Sequence, residues 1–124
     1  MNFTKHHGPL EKPVNGGKKA LIGTPIAALF IDQRLVVYWF DPVGSGSSTD
    51  GSPLLRGILS DAGDDFAVTT LTDAPTPNGY TQLTAFINPA SVSVGGASGT
   101  ALITYVQNSS NQLCTYPDHL IFKE

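Results

Sequence analysis

Few side chains in this 124-residue chain have the type and spacing to do chemistry, and those that do favour binding over bond making. Tyr38 and Trp39 adjoin within an apolar run, so a strand there sends them to opposite faces. Each ring joins an apolar body to a polar handle, suited either to stacking on an amphipathic ligand or to filling a core. Tyr105 and Tyr116 offer the same two alternatives, as does Tyr80. Arg56 could fork onto a pair of ligand hydroxyls, or stand as an exposed charge on an edge strand.

Groups for catalysis or metal binding are sparse. Glu11 and Glu124 are the only glutamates, and the eight aspartates fall in or beside segments that read as turns. No Gly-x-Ser-x-Gly elbow, phosphate loop or dinucleotide fingerprint occurs, and the Gly/Ser run 44–48 has no lysine behind it to hold a phosphate. His6, His7 and His119 lack the spacing and partner ligands of a zinc site. Asp61, Asp64 and Asp65 around Gly63 are too short a series for a calcium loop and read as turn chemistry. Cys114, the single cysteine, cannot form an internal disulfide and reads as an inert core thiol. The expectation is a protein that is not an enzyme and needs no metal or cofactor.

These residues must be positioned by strands. Charged residues make up 14% of the chain, against about 25% for ordinary soluble domains, and helix-forming vocabulary is missing. Short runs of Val, Ile, Thr and aromatics alternate instead with Gly, Pro, Asn, Asp and Ser, which predicts an all-β domain. Strands are expected at 20–22, 26–30, 35–40, 54–59, 66–71, 83–87, 101–107, 113–116 and 120–122. The segment 35–40 is apolar on both faces and reads as a central strand covered on both sides. Residues 1–19, rich in Gly and Pro and carrying Lys5, Lys12, Lys18 and Lys19, read as a flexible arm before one domain at 20–124.

Within that domain the second half echoes the first. Ile26-Ala27-Ala28-Leu29 and then Leu35-Val36-Val37-Tyr38 correspond to Leu83-Thr84-Ala85-Phe86 and then Leu102-Ile103-Thr104-Tyr105. Asp41 and Asn108 each follow three residues after the tyrosine, and a third strand starts near Leu54 and near Leu113. The approximate repeats are 20–75 and 80–124, each too small to bury its own sheet.

Gly23-Thr-Pro-Ile-Ala-Ala-Leu29 followed by Leu35-Val-Val-Tyr-Trp-Phe-Asp41 resembles a blade of the fungal and bacterial fucose-binding lectins. Leu102-Ile-Thr-Tyr-Val-Gln-Asn108 and Asn111-Gln-Leu-Cys-Thr-Tyr116 resemble the same pair of strands in a second blade. The resemblance spans about half the chain and implies two propeller-like blades of antiparallel sheet that close by oligomerisation, as a trimer. A β-sandwich or barrel is the alternative that the strand pattern leaves open. In that family an arginine in the Leu-Arg-Val-Tyr strand and a glutamate on the next strand hold the sugar. Here the arginine position holds Val36 or Ile103, and no glutamate exists in the strand region, so the family's site is lost or rebuilt.

The expected function is non-enzymatic carbohydrate binding by a multivalent, lectin-like oligomer, its partners glycans (fucosylated ones included) and further copies of the chain. Candidate binding residues are Trp39, Tyr38, Arg56, Tyr105 and Tyr116. The alternative is a self-assembling structural or protein-binding β module without a sugar site. A net charge of −3 gives no footprint for nucleic acid, and no apolar run is long enough to span a bilayer. The N-terminal residues lack a secretory pattern, which points to a cytoplasmic location or export without a classical signal peptide. The sequons at Asn2 and Asn108 are then incidental.

Overall fold

Seven strands organise the residues described by the computed structural model, which are 24–31, 33–41, 50–60, 63, 65–79 and 81–122. The expected arm 1–19, the expected strand 20–22, the loop 42–49, Tyr80, His6, His7, Asp61 and Asp64 lie outside them. The chain is all-β. Strands β1 (Ala27–Ile31), β2 (Arg34–Phe40), β3 (Leu54–Leu59) and β4 (Phe66–Leu71) form one antiparallel sheet in that order. Strands β5 (Thr84–Ile87), β6 (Ser98–Val106) and β7 (Leu113–Ile121) form a second antiparallel sheet, also in chain order, and neither sheet closes into a barrel.

Strand alternation decides which residues the sheets share. In the first sheet Leu29, Ile31, Val36, Tyr38, Phe40, Leu54 and Leu71 face one way and join a single core with Ala101, Ile103, Tyr105 and Leu120 of the second. The ring of Phe40 meets that of Tyr105 edge to face at 5.4 Å between centroids. On the opposite face of the first sheet Val37, Trp39, Leu55 and Phe66 form a second buried cluster with Leu35, Leu59 and Val68. β2 is therefore interior on both faces, as its unbroken apolar run requires. Burying a large apolar side chain contributes about 1.5–3 kcal/mol, so these rows supply most of the drive to stack the sheets.

The turns follow their residues. Gln33 takes a left-handed φ of 75° at the β1–β2 hairpin, and Asn111 takes φ 54° at the turn from β6 to β7. Such values suit asparagine, whose short polar side chain tolerates them. The connection from β4 to β5 pairs along the end of β6: Pro77 bridges Gln107, Asn78 N–H donates to the Val106 carbonyl at 2.7 Å, and Asn108 N–H donates to Thr76 at 3.0 Å. Two short 3-10 turns, Pro89–Ser91 and Val94–Gly96, fill the Gly/Ser segment before β6.

Two strand expectations need correction. β6 begins at Ser98, because Gly99 and Thr100 pair with Leu120 and His119. The expected separate strands 113–116 and 120–122 are one nine-residue strand that runs straight through Pro117. β7 is the edge of its sheet, and proline is tolerated there.

Gly99 packs closely against its neighbours. A Cβ there would lie 3.3 Å from Ile87 Cδ1, 3.4 Å from Val92 Cγ2 and 3.5 Å from Ile31 Cδ1. Gly99→Val is expected to cost about 1–3 kcal/mol through overpacking. Thr115→Val, at an exposed position, should stay within about 0.5 kcal/mol. Urea midpoints at unchanged slope measure both.

Candidate functional site

Three of the five residues singled out from sequence lie near one another, and a residue that sequence reasoning missed, Asp118, bonds two of them. Tyr38 on β2 pairs across the sheet with Arg56 on β3, and both point towards the second sheet. There Asp118, 3% exposed on the inner face of β7, receives the Tyr38 hydroxyl on Oδ2 at 2.7 Å and Arg56 Nη1 on Oδ1 at 2.6 Å. Tyr116 lies two residues earlier on the same inner face, packed against the core. Asp118 read as a turn residue because Pro117 precedes it. The alternation Tyr116, Asp118, Leu120 on one face of a strand was the signal that could have found it.

Tyr38 and Asp118 are buried at this node, and Arg56 and Tyr116 are partly buried. Burial first, and then the Asp118 charge, hold the Tyr38 phenol well above the ordinary tyrosine range. Burial also raises Tyr105 and Tyr116. Both carboxylate oxygens of Asp118 have donors, and the buried Arg56 Nε has no hydrogen-bond partner among the described residues. The arrangement ties sheet to sheet.

The other two candidates are interior as well. Tyr105 is buried, and its hydroxyl donates to the Pro75 carbonyl. Trp39 is 2% exposed in the cluster on the far face of the first sheet, and its buried Nε1 has no partner among the described residues. The rings proposed as stacking platforms are thus core rings in this fold. Burial raises the Cys114 thiol above its ordinary range. His119 Nδ1 lies 3.0 Å from Thr100 Oγ1, and no group of three metal-binding side chains gathers among the described residues. No helix among them is long and apolar enough to cross a membrane.

Two clefts remain. One of about 340 Å³ at the Phe122 end of the core has charged residues, Arg34 and Asp65, in its lining. Its arginine is engaged, with Nη1 3.2 Å from the Gly96 carbonyl and the guanidinium 4.8 Å from the Phe122 ring centre. The other, of about 630 Å³, lies beside the β6–β7 turn. Asn78, Gln82, Thr84, Thr104 and Asn111 set amides and hydroxyls in a lining that is otherwise mostly apolar, and no charged residue stands in its walls. Asn78 Nδ2 donates to Asn111 Oδ1 at 2.6 Å, so the β4–β5 connection and the β6–β7 turn hold each other's amides in place. Thr81 is buried and fixes the floor, its hydroxyl accepting from Val106 N–H at 2.7 Å. Sequence reasoning missed this group because its members are neutral loop-type residues from four separate segments.

Comparisons of the chain with protein-family models, with curated proteins and with solved structures gave no match.

Two outcomes test the Asp118 node. Asp118→Ala leaves the largely buried Arg56 cation unpaired and is expected to cost about 3 kcal/mol, whereas Asp118→Leu combined with Arg56→Met and Tyr38→Phe should recover most of that loss in urea titrations. The second concerns pH. Folding raises the three tyrosine pKa values, so the unfolded chain gives up those protons first. Their contribution is complete below about pH 10 and is lost as pH rises beyond it. The melting temperature should fall steeply above that pH, and Tyr38→Phe should blunt the fall.

Proposed function

We propose that this protein is a non-enzymatic carbohydrate-binding protein whose ligand is neutral and binds at the cleft beside the β6–β7 turn. The observation that carries the reading is the lining: amides and hydroxyls able both to donate and to accept, set in mostly apolar surface with no charge in the walls. A neutral polyhydroxylated ligand pairs with such groups without burying an unmatched charge. Small polar residues joined to each other before binding also reduce the ordering cost that weak sugar ligands cannot offset. Acidic sugars would find no cation in the lining.

This relocates the site from the aromatic residues and Arg56 to Asn78, Gln82, Thr84, Thr104 and Asn111. Fucosylated glycans remain among the neutral ligands to be tried. The ring of blades closed by a trimer is a weaker part of the reading. Blades arranged about an axis present equivalent residues in the same rotational sense, whereas the repeat-equivalent Tyr38 and Tyr105 point into one shared layer from opposite sheets. That relation supports the sandwich alternative. The second functional reading, a self-assembling or protein-binding module, is favoured by the exposed apolar side chains Phe86, Leu113 and Ile121 on the second sheet.

Gln82→Ala and Thr84→Val, both at exposed positions, should leave stability within about 0.5 kcal/mol. Each should weaken binding to the best neutral glycan on an array about three- to tenfold, the worth of one hydrogen bond. Trp39→Phe should leave glycan binding unchanged. An array with no neutral-glycan signal above background, with light scattering showing a stable oligomer, would favour the assembly reading instead.

A further inference from the structure

The cleft opens onto the outer face of the second sheet, where the three strands set their outward residues in register. Thr84, Thr104 and Thr115 form one cross-strand row, and Phe86, Leu102 and Pro117 form the next. Val106 with Leu113 flanks the first row, and Thr100 with His119 flanks the second. The hydroxyls of Thr104 and Thr115 are 3.3 Å apart. Thr84, Thr104, Val106 and Leu113 belong both to these rows and to the cleft, so the two surfaces are continuous.

Two properties of this face restrict what it fits. Among the described residues of β5, β6 and β7 the only Asp, Glu, Lys or Arg is Asp118, and it is buried on the other face. Hydroxyl-bearing and apolar rows also alternate, with Phe86 53% and Leu113 73% exposed. Along β6 the outward residues from Val106 to Leu102, which pairs with Phe86, span two two-residue steps, about 13 Å, more than a single sugar ring covers. A protein interface core would be enriched in aromatic, Met and Arg side chains. This face has Phe86 as its single aromatic among the described residues and has neither Met nor Arg.

Building on the carbohydrate reading, we infer that the ligand is the interior of a linear neutral polysaccharide, laid along β6 from the Asn78–Asn111 cleft to Phe86, and not a terminal sugar. Pyranose CH faces would rest on the apolar rows while hydroxyl edges meet the threonine rows and the cleft amides. Such a neutral chain matches a charge-free face on a protein of net charge −3.

Titration calorimetry with cello-, laminari- and chito-oligosaccharides of two to six units tests this on the full chain. Affinity is expected to rise at least tenfold from the shortest to the longest member of one series. Phe86→Ala should abolish most of that gain while leaving the shortest ligand unaffected, and Gln82→Ala should weaken every length. Circular dichroism establishes that both variants fold. Affinity that is flat with length and indifferent to Phe86→Ala overturns the inference and leaves the carbohydrate reading standing as a terminal-sugar site. Absence of binding throughout all three series overturns both. A fall in solution mass on Phe86→Ala, without loss of sugar affinity, assigns the face to a second copy of the chain and overturns the inference alone.

Discussion

One buried carboxylate hydrogen-bonds the two sheets to each other, and the placement of the outward residues of β7 follows from it. Apolar packing brings the layers together, but packing is non-directional and tolerates sliding. Asp118 receives Tyr38 and Arg56 from adjacent strands of the opposite sheet, which fixes where β7 lies over β2 and β3. Because strand side chains alternate, fixing the inner residues of β7 also fixes Thr115, Pro117 and His119 on the outside. The geometry of the face thus descends from a contact that no ligand touches. A buried ion pair is weak evidence for stability, and its clearest consequence here is registry.

The surface follows a second constraint. With 14% charged residues, the chain places Arg56 and Asp118 against each other and leaves the outer side of the second sheet neutral. A neutral face cannot steer charged partners by long-range attraction, so recognition rests on short-range hydrogen bonding and apolar contact. Proline at position 117 serves the same end at the sheet edge, because it removes one backbone donor from an edge strand.

Legibility in the sequence divided along physical lines. The strands 54–59 and 66–71 were readable to the residue because turn formers bound apolar, β-branched runs on both sides. Tyr38, Arg56 and Tyr116 stood out by type, and they do converge, but as a support for the fold. Residue type alone cannot distinguish a ring facing solvent from one facing the opposite sheet, since that depends on which face each strand buries. Asp118 was hidden because residues 117–119 read as a turn between two strands, whereas one edge strand runs through Pro117. The cleft was hidden for a different reason. Asn78, Gln82, Thr104 and Asn111 are ordinary loop and strand-surface residues, and they are gathered by the β5–β6 ladder, the pairing of Pro77 with Gln107 and the Asn78–Asn111 hydrogen bond.

The central claim is that ligand meets the neutral cleft and the sheet face beyond it, while the aromatic candidates serve the core. The measurement that tests it most directly is backbone amide NMR on the full chain, titrated with the tightest-binding neutral oligosaccharide. The account predicts shift changes at Asn78, Gln82, Thr84, Thr104 and Asn111, with Tyr38, Trp39 and Leu55 unmoved. Changes centred on Trp39 and the far face of the first sheet, with the cleft amides silent, would contradict it.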